Sequence, residues 1–480
     1  MSSINHPKYD SMVDPKRRGL VLAGFLGLTG ALSFRLWYMQ ILKGYDFSIA
    51  SEKNRVREVN KPAPRGLIYD RNGKILLANR LFFDLVIIPQ YLQDASKTLS
   101  IVSELFHIPQ VQIERKLQDS QMNPKFVPVR IKRNLSIHEV ATLESNKFFL
   151  PGVDVDTAPR RDYLGNESAH LFGYLGEVTA KELDMLNVRH MDYRYRIGSI
   201  IGKTGIEKKY EKYLRGIEGK DFLMVDALGR LQSENFIDPN FNINKQAERG
   251  HDIYLTIDAD LQNVAMEAFK NKNGAVVAMD PQTGALLCYL SNPNFKLSIY
   301  QDGLTAEDWQ TLQLNPYKPL LDKVTGGAYP PGSTYKPIVA LAALEEGVIT
   351  PERTFRCPGF FTLGNGIWKC WKHGGHGVVN MRKAIELSCD VYFYNIGNIL
   401  GIDRIAKWGK LFGLGEKTGF DMNMELPGIA PSSEWKLRTK EMPWQSGDTI
   451  NASTGQGYNL TTPLQMLNMY AAIANGGKLF

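Results

Sequence analysis

The sequence has 480 residues, and at about 150 residues per domain this length suggests about three domains, which excludes a peptide hormone or a small disulfide scaffold. Hydrophobic residues make up 43% of the chain and charged residues 22%, a balance typical of ordered rather than disordered proteins. Lys and Arg number 57 against 50 Asp and Glu, spread along the chain, so the charge does not favour nucleic-acid binding.

The first predicted element is a membrane-spanning helix over residues 19–42. Residues 19–34 carry no charge, and Arg35 is close enough to one end to reach the lipid headgroups. Basic residues at 16–18 precede the span, which predicts a cytoplasmic tail over 1–18 and a periplasmic location for the rest. A cleaved signal peptide is the alternative, but aromatic residues and Arg35 stand where its small-residue cleavage site belongs.

After the span, the sequence pattern predicts two regions. Residues 43–250 mix β-like runs such as 85–88 with charged helical stretches such as 207–214, which indicates an α+β module without chemistry of its own. Residues 251–480 begin with a strand-like segment at 253–257, followed by a helix and a hairpin that turns between Asp280 and Gly284. A further domain is therefore expected to start at about residue 251.

The strongest chemical signal is the pair Ser333 and Lys336, which follows a Pro-Pro-Gly helix start. Residues three apart on a helix share one face, with Cβ atoms about 5 to 6 Å apart. A neutral lysine there can take the serine proton, and the helix N-terminus favours the developing negative charge. Alone the pattern is weak, because most such pairs are solvated helix faces.

A second pair, Ser388 and Asp390, follows the helical stretch 381–387. A hydroxyl and a carboxylate at this spacing can relay a proton and bind a lysine ammonium group. The alternative is that either residue only caps the following helix.

Ser-x-x-Lys, Ser-x-Asn and Lys-Thr-Gly are the signature motifs of penicillin-binding proteins and serine β-lactamases. The chain resembles a class B penicillin-binding protein over nearly its whole length. The segments that carry this resemblance are the anchor, 65–73 (Arg-Gly-Leu-Ile-Tyr-Asp-Arg-Asn-Gly), 202–207 (Gly-Lys-Thr-Gly-Ile-Glu), 274–280 and 455–457 (Gly-Gln-Gly). Within this class, three features resemble the elongation-type penicillin-binding protein 2 group: Asp390 in place of Asn, the Gly375-His376-Gly377 tripeptide and the Cys370-Trp371 pair.

The resemblance implies an α+β multidomain fold: a transmembrane anchor, a pedestal or dimerisation-type domain (43–250) and a transpeptidase domain (251–480) with an antiparallel sheet flanked by helices. It implies a peptidoglycan D,D-transpeptidase that cross-links stem peptides during cell elongation and shape maintenance, and that β-lactams acylate. Ser333 would attack the D-Ala-D-Ala carbonyl, Lys336 would be its general base, and Ser388 with Asp390 would relay protons to the leaving D-Ala. The implied partners are stem peptides, β-lactams, the inner membrane and a membrane glycosyltransferase of the rod-elongation machinery.

The third motif of the family is expected after Gly-Gln-Gly, but no Lys-Thr-Gly follows residue 457 in this sequence; the tripeptide occurs earlier, at 203–205 inside the pedestal region and at 417–419. By resemblance the absent strand supplies substrate contacts and one oxyanion donor, and the loss of one such donor costs about 10² to 10³ in rate. The expectation is therefore a fragment of a longer reading frame or an inactive relative, without useful turnover. Two alternatives remain: a scaffold for the glycosyltransferase, and a β-lactam sensor or β-lactamase, which the pedestal motifs do not fit.

A possible metal site lies beside the second pair. Cys357, Cys370, His376 and Cys389 fall close together in the sequence, and three thiolates with one imidazole suit a tetrahedral structural zinc. Some penicillin-binding protein 2 relatives, by resemblance, hold zinc at matching places, with Asp where this chain has Cys. The alternative is a disulfide between Cys357 and Cys370 with Cys389 as a buried thiol. Cys288 is predicted to be an ordinary core residue.

Overall fold

The computed structural model describes residues 15–45, 47, 56–120, 125–164, 168–189, 195–196, 199–225, 231–233, 245–420, 422 and 424–480. Most of the expected cytoplasmic tail, residues 1–14, lies outside this part of the chain. The chain divides into two compact units. The first comprises Met1–Pro62 with Glu218–Glu248, and the second comprises Ala63–Ile217 with Arg249–Phe480.

The first unit contains the apolar helix expected from the sequence. Helix α1 (Pro15–Trp37) continues into a π-helical turn (Tyr38–Leu42). Its segment Gly19–Leu42 has 24 residues, a mean hydropathy of 1.6 and no buried residue. At 1.5 Å per residue this segment is about 36 Å long, enough to cross a hydrocarbon core of about 30 Å. The same unit has an antiparallel sheet in the order β1-β8-β9, formed by β1 (Val56–Lys61), β8 (Gly219–Val225) and β9 (Leu231–Ser233).

The second unit begins with a mixed sheet in the order β10-β2-β3-β4, with β5 paired to β3. Its strands, with the short pair β6 and β7, are β2 (Ile68–Tyr69), β3 (Ile75–Ile87), β4 (Val129–Lys132), β5 (Val153–Asp162), β6 (Leu175–Glu177), β7 (Ile200–Gly202) and β10 (Ile253–Tyr254). The helices that accompany them are α2 (Ala95–Phe106), α3 (Gln110–Asp119), α4 (Ile137–Asn146), α5 (Ala169–Phe172), α6 (Ala180–Arg189), α7 (Gly205–Lys209) and α8 (Glu211–Leu214).

Two sequence predictions in this region are only partly met. The run 85–88 lies largely in β3, but the strand expected at 253–257 is limited to the two residues of β10. The reason is its partner: β2 ends at Tyr69 because Asp70 starts a turn, in which its Oδ1 accepts from the backbone N–H groups of Asn72 and Lys74, both at 2.8 Å. The helix expected at 207–214 is present as α7 and α8, interrupted at Tyr210.

A buried ionic network joins the sheet to α7 and α8. Arg65 donates to Glu207 at 2.6 Å and to Glu211 at 2.8 Å. Arg161 donates to the second oxygen of Glu207 at 2.6 Å and to Asn79 at 3.2 Å. The Glu207 carboxylate is fully buried; burial alone would raise its pKa, but Arg161 and Arg65 hold that pKa below the ordinary value. The network thus pairs charges that would be very costly to bury alone.

The rest of the second unit has an antiparallel hairpin and a helical core. The predicted hairpin is present as β11 (Gly274–Met279) and β12 (Leu286–Asn292), joined by the turn at Asp280. Two smaller antiparallel pairs follow, β13 (Phe355–Cys357) with β16 (Gly377–Val379), and β14 (Phe360–Leu363) with β15 (Gly366–Lys369). The helices are α9 (Ala259–Ala268), α10 (Ser298–Asp302), α11 (Ala306–Leu314), α12 (Lys336–Glu345), α13 (Met381–Glu386), α14 (Asp390–Leu400), α15 (Ile402–Leu411), α16 (Ser433–Lys440), α17 (Ser446–Ala452) and α18 (Pro463–Ala474).

Helices α12 and α14 form the centre of this core. They bury Ile338, Val339 and Ala342 on one side and Tyr392, Phe393 and Ile396 on the other. Because both helices are apolar on most faces, they pack inside the domain and hold their N-terminal ends in fixed positions.

Candidate active site

Ser333 lies in a 3-10 turn (Gly332–Tyr335) that leads directly into α12. Gly332 has φ +58°, a conformation natural for glycine, and its N–H donates to the Gly455 carbonyl at 2.9 Å. A Cβ on Gly455 would collide with the Gly332 carbonyl and come within 2.7 Å of the Tyr335 Cβ. The Gly-Gln-Gly segment therefore packs closely behind the turn, which leaves the Ser333 side chain exposed.

Lys336 is buried at the base of this turn, with 2% of its surface exposed. Its Nζ donates to Asp390 Oδ1 at 2.7 Å and to both the hydroxyl and the carbonyl oxygen of Ser388 at 2.9 Å. The Ser388 hydroxyl donates to Ser333 Oγ at 2.9 Å. Among the hydrogen bonds of the described residues, none joins Lys336 directly to Ser333, so the Ser388 hydroxyl bridges the two.

Ser388 itself has an unusual backbone, with φ +48°. Such a left-handed conformation is uncommon for a residue with a side chain and costs about 1 to 3 kcal/mol. It belongs to the short connection between α13 and α14, whose N-cap is Cys389 and not Ser388 or Asp390. Asp390 is the first residue of α14, where the helix dipole favours a carboxylate.

Two aromatic residues next to this cluster were not among the predicted site residues. The Phe393 ring centroid lies 5.4 Å from Lys336 Nζ, within cation–π range. The backbone N–H of Trp371 donates to Asp390 Oδ2 at 3.1 Å. The sequence did show aromatic residues next to each motif, and these were the signal that could have pointed to Trp371 and Phe393. The sequence alone does not show which of the rings lie against Lys336.

The four predicted metal ligands are brought together. One ligand atom each from Cys357, Cys370, His376 and Cys389 lies within 4.8 Å of all the others. His376 Nδ1 faces two of the sulfurs, at 3.6 Å from Cys357 and 3.5 Å from Cys370. All four cysteines of the chain are free thiols, so the alternative disulfide is not formed in this structure. Cys288 is buried in β12, as expected of a core residue.

The donor set fits zinc. A tetrahedral zinc with thiolate ligands keeps the sulfur atoms about 3.8 Å apart, so the cluster needs only a small contraction to bind it. Burial together with Lys372 lowers the pKa of His376, which favours the neutral imidazole that metals bind. Burial raises the pKa of the Cys389 thiol to about 12, which opposes the thiolate form, so the metal–sulfur bond has to offset the loss of that proton.

The Lys-Thr-Gly at 203–205 makes structural contacts. Lys203 pairs with Glu182 at 2.6 Å, and Thr204 is the N-cap of α7. Gly205 has φ +59° and approaches the backbone of Phe172 so closely that a Cβ would stand 2.6 Å from its carbonyl carbon. These contacts agree with the interpretation that this tripeptide is not the third catalytic motif.

Two protein-family models match the chain. The penicillin binding protein transpeptidase domain matches residues 274–480, and the penicillin-binding protein dimerisation domain matches residues 60–255. The peptidoglycan D,D-transpeptidase MrdA of Acinetobacter baumannii is 36% identical over 96% of this chain and 67% of its own length. MrdA of Escherichia coli is 35% identical over 96% of this chain and 72% of its own length.

Solved structures give the same result. Penicillin-binding protein 2 from Helicobacter pylori, in a complex with MreC, is 31% identical and covers 88% of this chain and 78% of its own, with a TM-score of 0.74. A chain of a peptidoglycan synthase complex is 28% identical and covers 96% of this chain and 78% of its own, with a TM-score of 0.65. The comparisons do not favour the scaffold alternative over an enzyme. The chain belongs to the MrdA family of peptidoglycan D,D-transpeptidases, the penicillin-binding protein 2 group.

Proposed function

We propose that Ser333 is the nucleophile with which this peptidoglycan D,D-transpeptidase forms its acyl-enzyme, and that Lys336, Ser388 and Asp390 carry the protons. The observation that supports this assignment is the unbroken line of hydrogen bonds from Asp390 through Lys336 and Ser388 to Ser333. An exposed hydroxyl at one end and a buried amine at the other is the arrangement that nucleophilic catalysis needs.

The reaction follows from this order of groups. Lys336 in its neutral form takes a proton from Ser388 Oγ, which takes one from Ser333 Oγ as that oxygen bonds to the penultimate D-Ala carbonyl carbon. The peptide bond to the terminal D-Ala breaks, and the departing amine receives the proton back through Ser388. The Ser333 N–H lies in the 3-10 turn that leads into α12, where backbone N–H groups lack helical partners, and it would donate to the oxyanion. An amine of a neighbouring stem peptide then attacks the ester carbonyl carbon; its proton passes through Ser388 to Ser333 Oγ as the ester bond breaks, which restores the serine hydroxyl and completes the cross-link.

Acylation by a penicillin tests the assignment. The full chain, purified in detergent, is expected to gain the mass of one penicillin, and Ser333→Ala is expected to gain none. Ser388→Ala should acylate about 10² to 10⁴ times more slowly, because the proton path is interrupted. Ser432→Ala removes a hydroxyl that only caps α16 and should acylate normally. An adduct on Ser333→Ala would contradict the proposal.

We also propose that Cys357, Cys370, His376 and Cys389 hold a structural zinc. When bound, the ion would fix Cys389, and with it the connection that presents Ser388 and Asp390, without taking part in proton transfer. Support comes from the convergence of one imidazole nitrogen and three sulfurs.

Metal content tests the zinc site directly. One zinc per chain is expected in the wild type and none in Cys389→Ser, whereas Cys288→Ser, which changes a buried thiol in β12, should keep its zinc. A zinc-free wild type whose intact mass shows the loss of two hydrogens would favour the disulfide.

The family and the apolar helix make this a membrane-anchored protein. We further propose that its N-terminus is cytoplasmic, since the basic residues 16–18 precede the span, and that 43–250 and 251–480 are separate pedestal and transpeptidase domains. Protease added to intact spheroplasts should remove everything after the span.

We propose a membrane glycosyltransferase and a protein like MreC as partners in shape maintenance, supported by the complexes in which the similar structures were solved.

A further inference from the structure

Trp371 forms hydrogen bonds with the same groups that bind the Lys336 ammonium. Its backbone N–H donates to Asp390 Oδ2 at 3.1 Å, while Lys336 donates to Oδ1 of that carboxylate at 2.7 Å. Its indole N–H donates to the carbonyl oxygens of Leu387 at 3.1 Å and Ser388 at 3.2 Å. The Ser388 carbonyl also accepts from Lys336 at 2.9 Å. Two of the acceptors that orient the lysine are therefore held by one tryptophan.

The Ser388 carbonyl needs such support. The backbone of Ser388 is in the left-handed region, and a non-glycine residue stays there only if neighbouring contacts fix it. The indole N–H is a fixed donor on a rigid ring, so it holds the carbonyl in one orientation.

Trp371 is itself held in place. It follows Cys370, whose N–H donates to the Gly359 carbonyl at 2.8 Å, and its ring makes an edge contact with His376 at 5.3 Å between centroids. The loop from β15 to β16 therefore positions the indole before substrate arrives.

We infer that Trp371 is a positioning residue for the transpeptidase reaction. It keeps the Asp390 carboxylate and the Ser388 carbonyl where they direct Lys336 Nζ toward Ser388 Oγ. This inference rests on the proposed roles of Ser333 and Lys336. The rival role is that of a contact surface for the substrate peptide, because 61% of the Trp371 surface is exposed.

The two roles differ in the step that they affect. A positioning residue changes the first-order rate constant of acylation, whereas a contact surface changes the binding constant that precedes it. Stopped-flow acylation with a fluorescent penicillin separates the two constants. For Trp371→Phe, which keeps an aromatic ring and the backbone N–H but loses the indole donor, we expect the rate constant to fall about 3- to 10-fold with unchanged binding.

A matched control is available in Trp408. Its indole N–H donates to Glu346 at 2.9 Å, at the far end of α12 from Ser333. Trp408→Phe removes an equivalent hydrogen bond, so a similar loss in unfolding temperature with normal acylation is expected. A benzothienyl-alanine residue at position 371 replaces the indole N–H by sulfur in a ring of the same shape, and should reproduce the defect of Trp371→Phe.

Amide hydrogen exchange gives a readout that does not depend on activity. In Trp371→Phe, the peptide that contains 386–391 should exchange at least several-fold faster than in the wild type and in Trp408→Phe. Unchanged exchange there, an unchanged rate constant, or a weaker binding constant alone would overturn the inference. A wild-type chain that acylates at a residue other than Ser333 would overturn the proposed function instead, and the exchange data would still decide the role of Trp371.

Discussion

Two of the buried clusters of charged side chains in the second unit are built in opposite ways. In the network of Arg65, Arg161, Glu207 and Glu211, every charge faces an opposite charge, and the central carboxylate has no exposure to solvent. In the cluster around Lys336, one lysine and one carboxylate are joined to two neutral hydroxyls, and the line ends at the exposed Ser333.

The difference separates a structural role from a chemical one. A network of fixed opposite charges has no group that can change its protonation at low cost, so it joins strands and helices but does not catalyse. A lysine bound to hydroxyls can lose a proton along the same contacts that orient it. Burial and ion pairing alone therefore do not identify an active site; the hydroxyl path to the surface does.

The largest expected effect is on the catalytic cluster. Lys336→Ala should slow penicillin acylation by about 10² to 10⁴, because the only amine on the hydroxyl path is lost. The control is Lys436→Ala, which also removes a buried lysine, one paired with Asp448 at 2.6 Å. This control should lower the unfolding temperature and leave acylation by the folded fraction intact. Equal acylation defects in both variants would erase the distinction between the clusters.

Glu207→Gln should have the opposite profile. Removing this charge leaves Arg65 and Arg161 buried without their shared partner, and breaking such a buried pair costs about 3 to 5 kcal/mol. Denaturant unfolding in detergent measures the loss. Acylation by the molecules that remain folded should be normal, and a primary defect in the acylation rate constant would show that the network contributes to catalysis.

Acid should reduce the contribution of the same network. The pKa of Glu207 is lower in the folded chain than the ordinary value of about 4.3, so its stabilisation is complete above that value and is lost as the pH falls through the folded pKa. The stability difference between wild type and Glu207→Gln should therefore shrink as the pH is lowered from 6 to 3. A difference independent of pH would argue against ion pairing as its cause.

The smallest effect is expected at the Lys-Thr-Gly of the pedestal region. Lys203 pairs with a partly exposed Glu182, and such pairs are worth about 1 kcal/mol or less. Lys203→Ala should unfold at nearly the wild-type temperature and acylate normally. An acylation defect as large as that of Lys336→Ala would restore this tripeptide as a catalytic motif.

The sequence predicted local features well and long-range ones poorly. The anchor, the hairpin at Asp280, the Ser333 and Lys336 turn and the convergence of the three cysteines with His376 were all visible in local segments. The pairing of Arg65 with Glu207 joins residues 142 positions apart, and periodicity contains no information about it. The left-handed Ser388 was also hidden, because serine does not signal that conformation as glycine does.

That conformation has a consequence for how the enzyme can change. Glycine, and to a lesser degree asparagine, adopts a positive φ with little strain, but neither carries a hydroxyl. Ser388→Gly should therefore make the domain more stable and nearly inactive. At this position a more stable residue would be a less active one. Selection for a more heat-resistant protein would favour glycine, whereas selection for cell-wall cross-linking would keep serine.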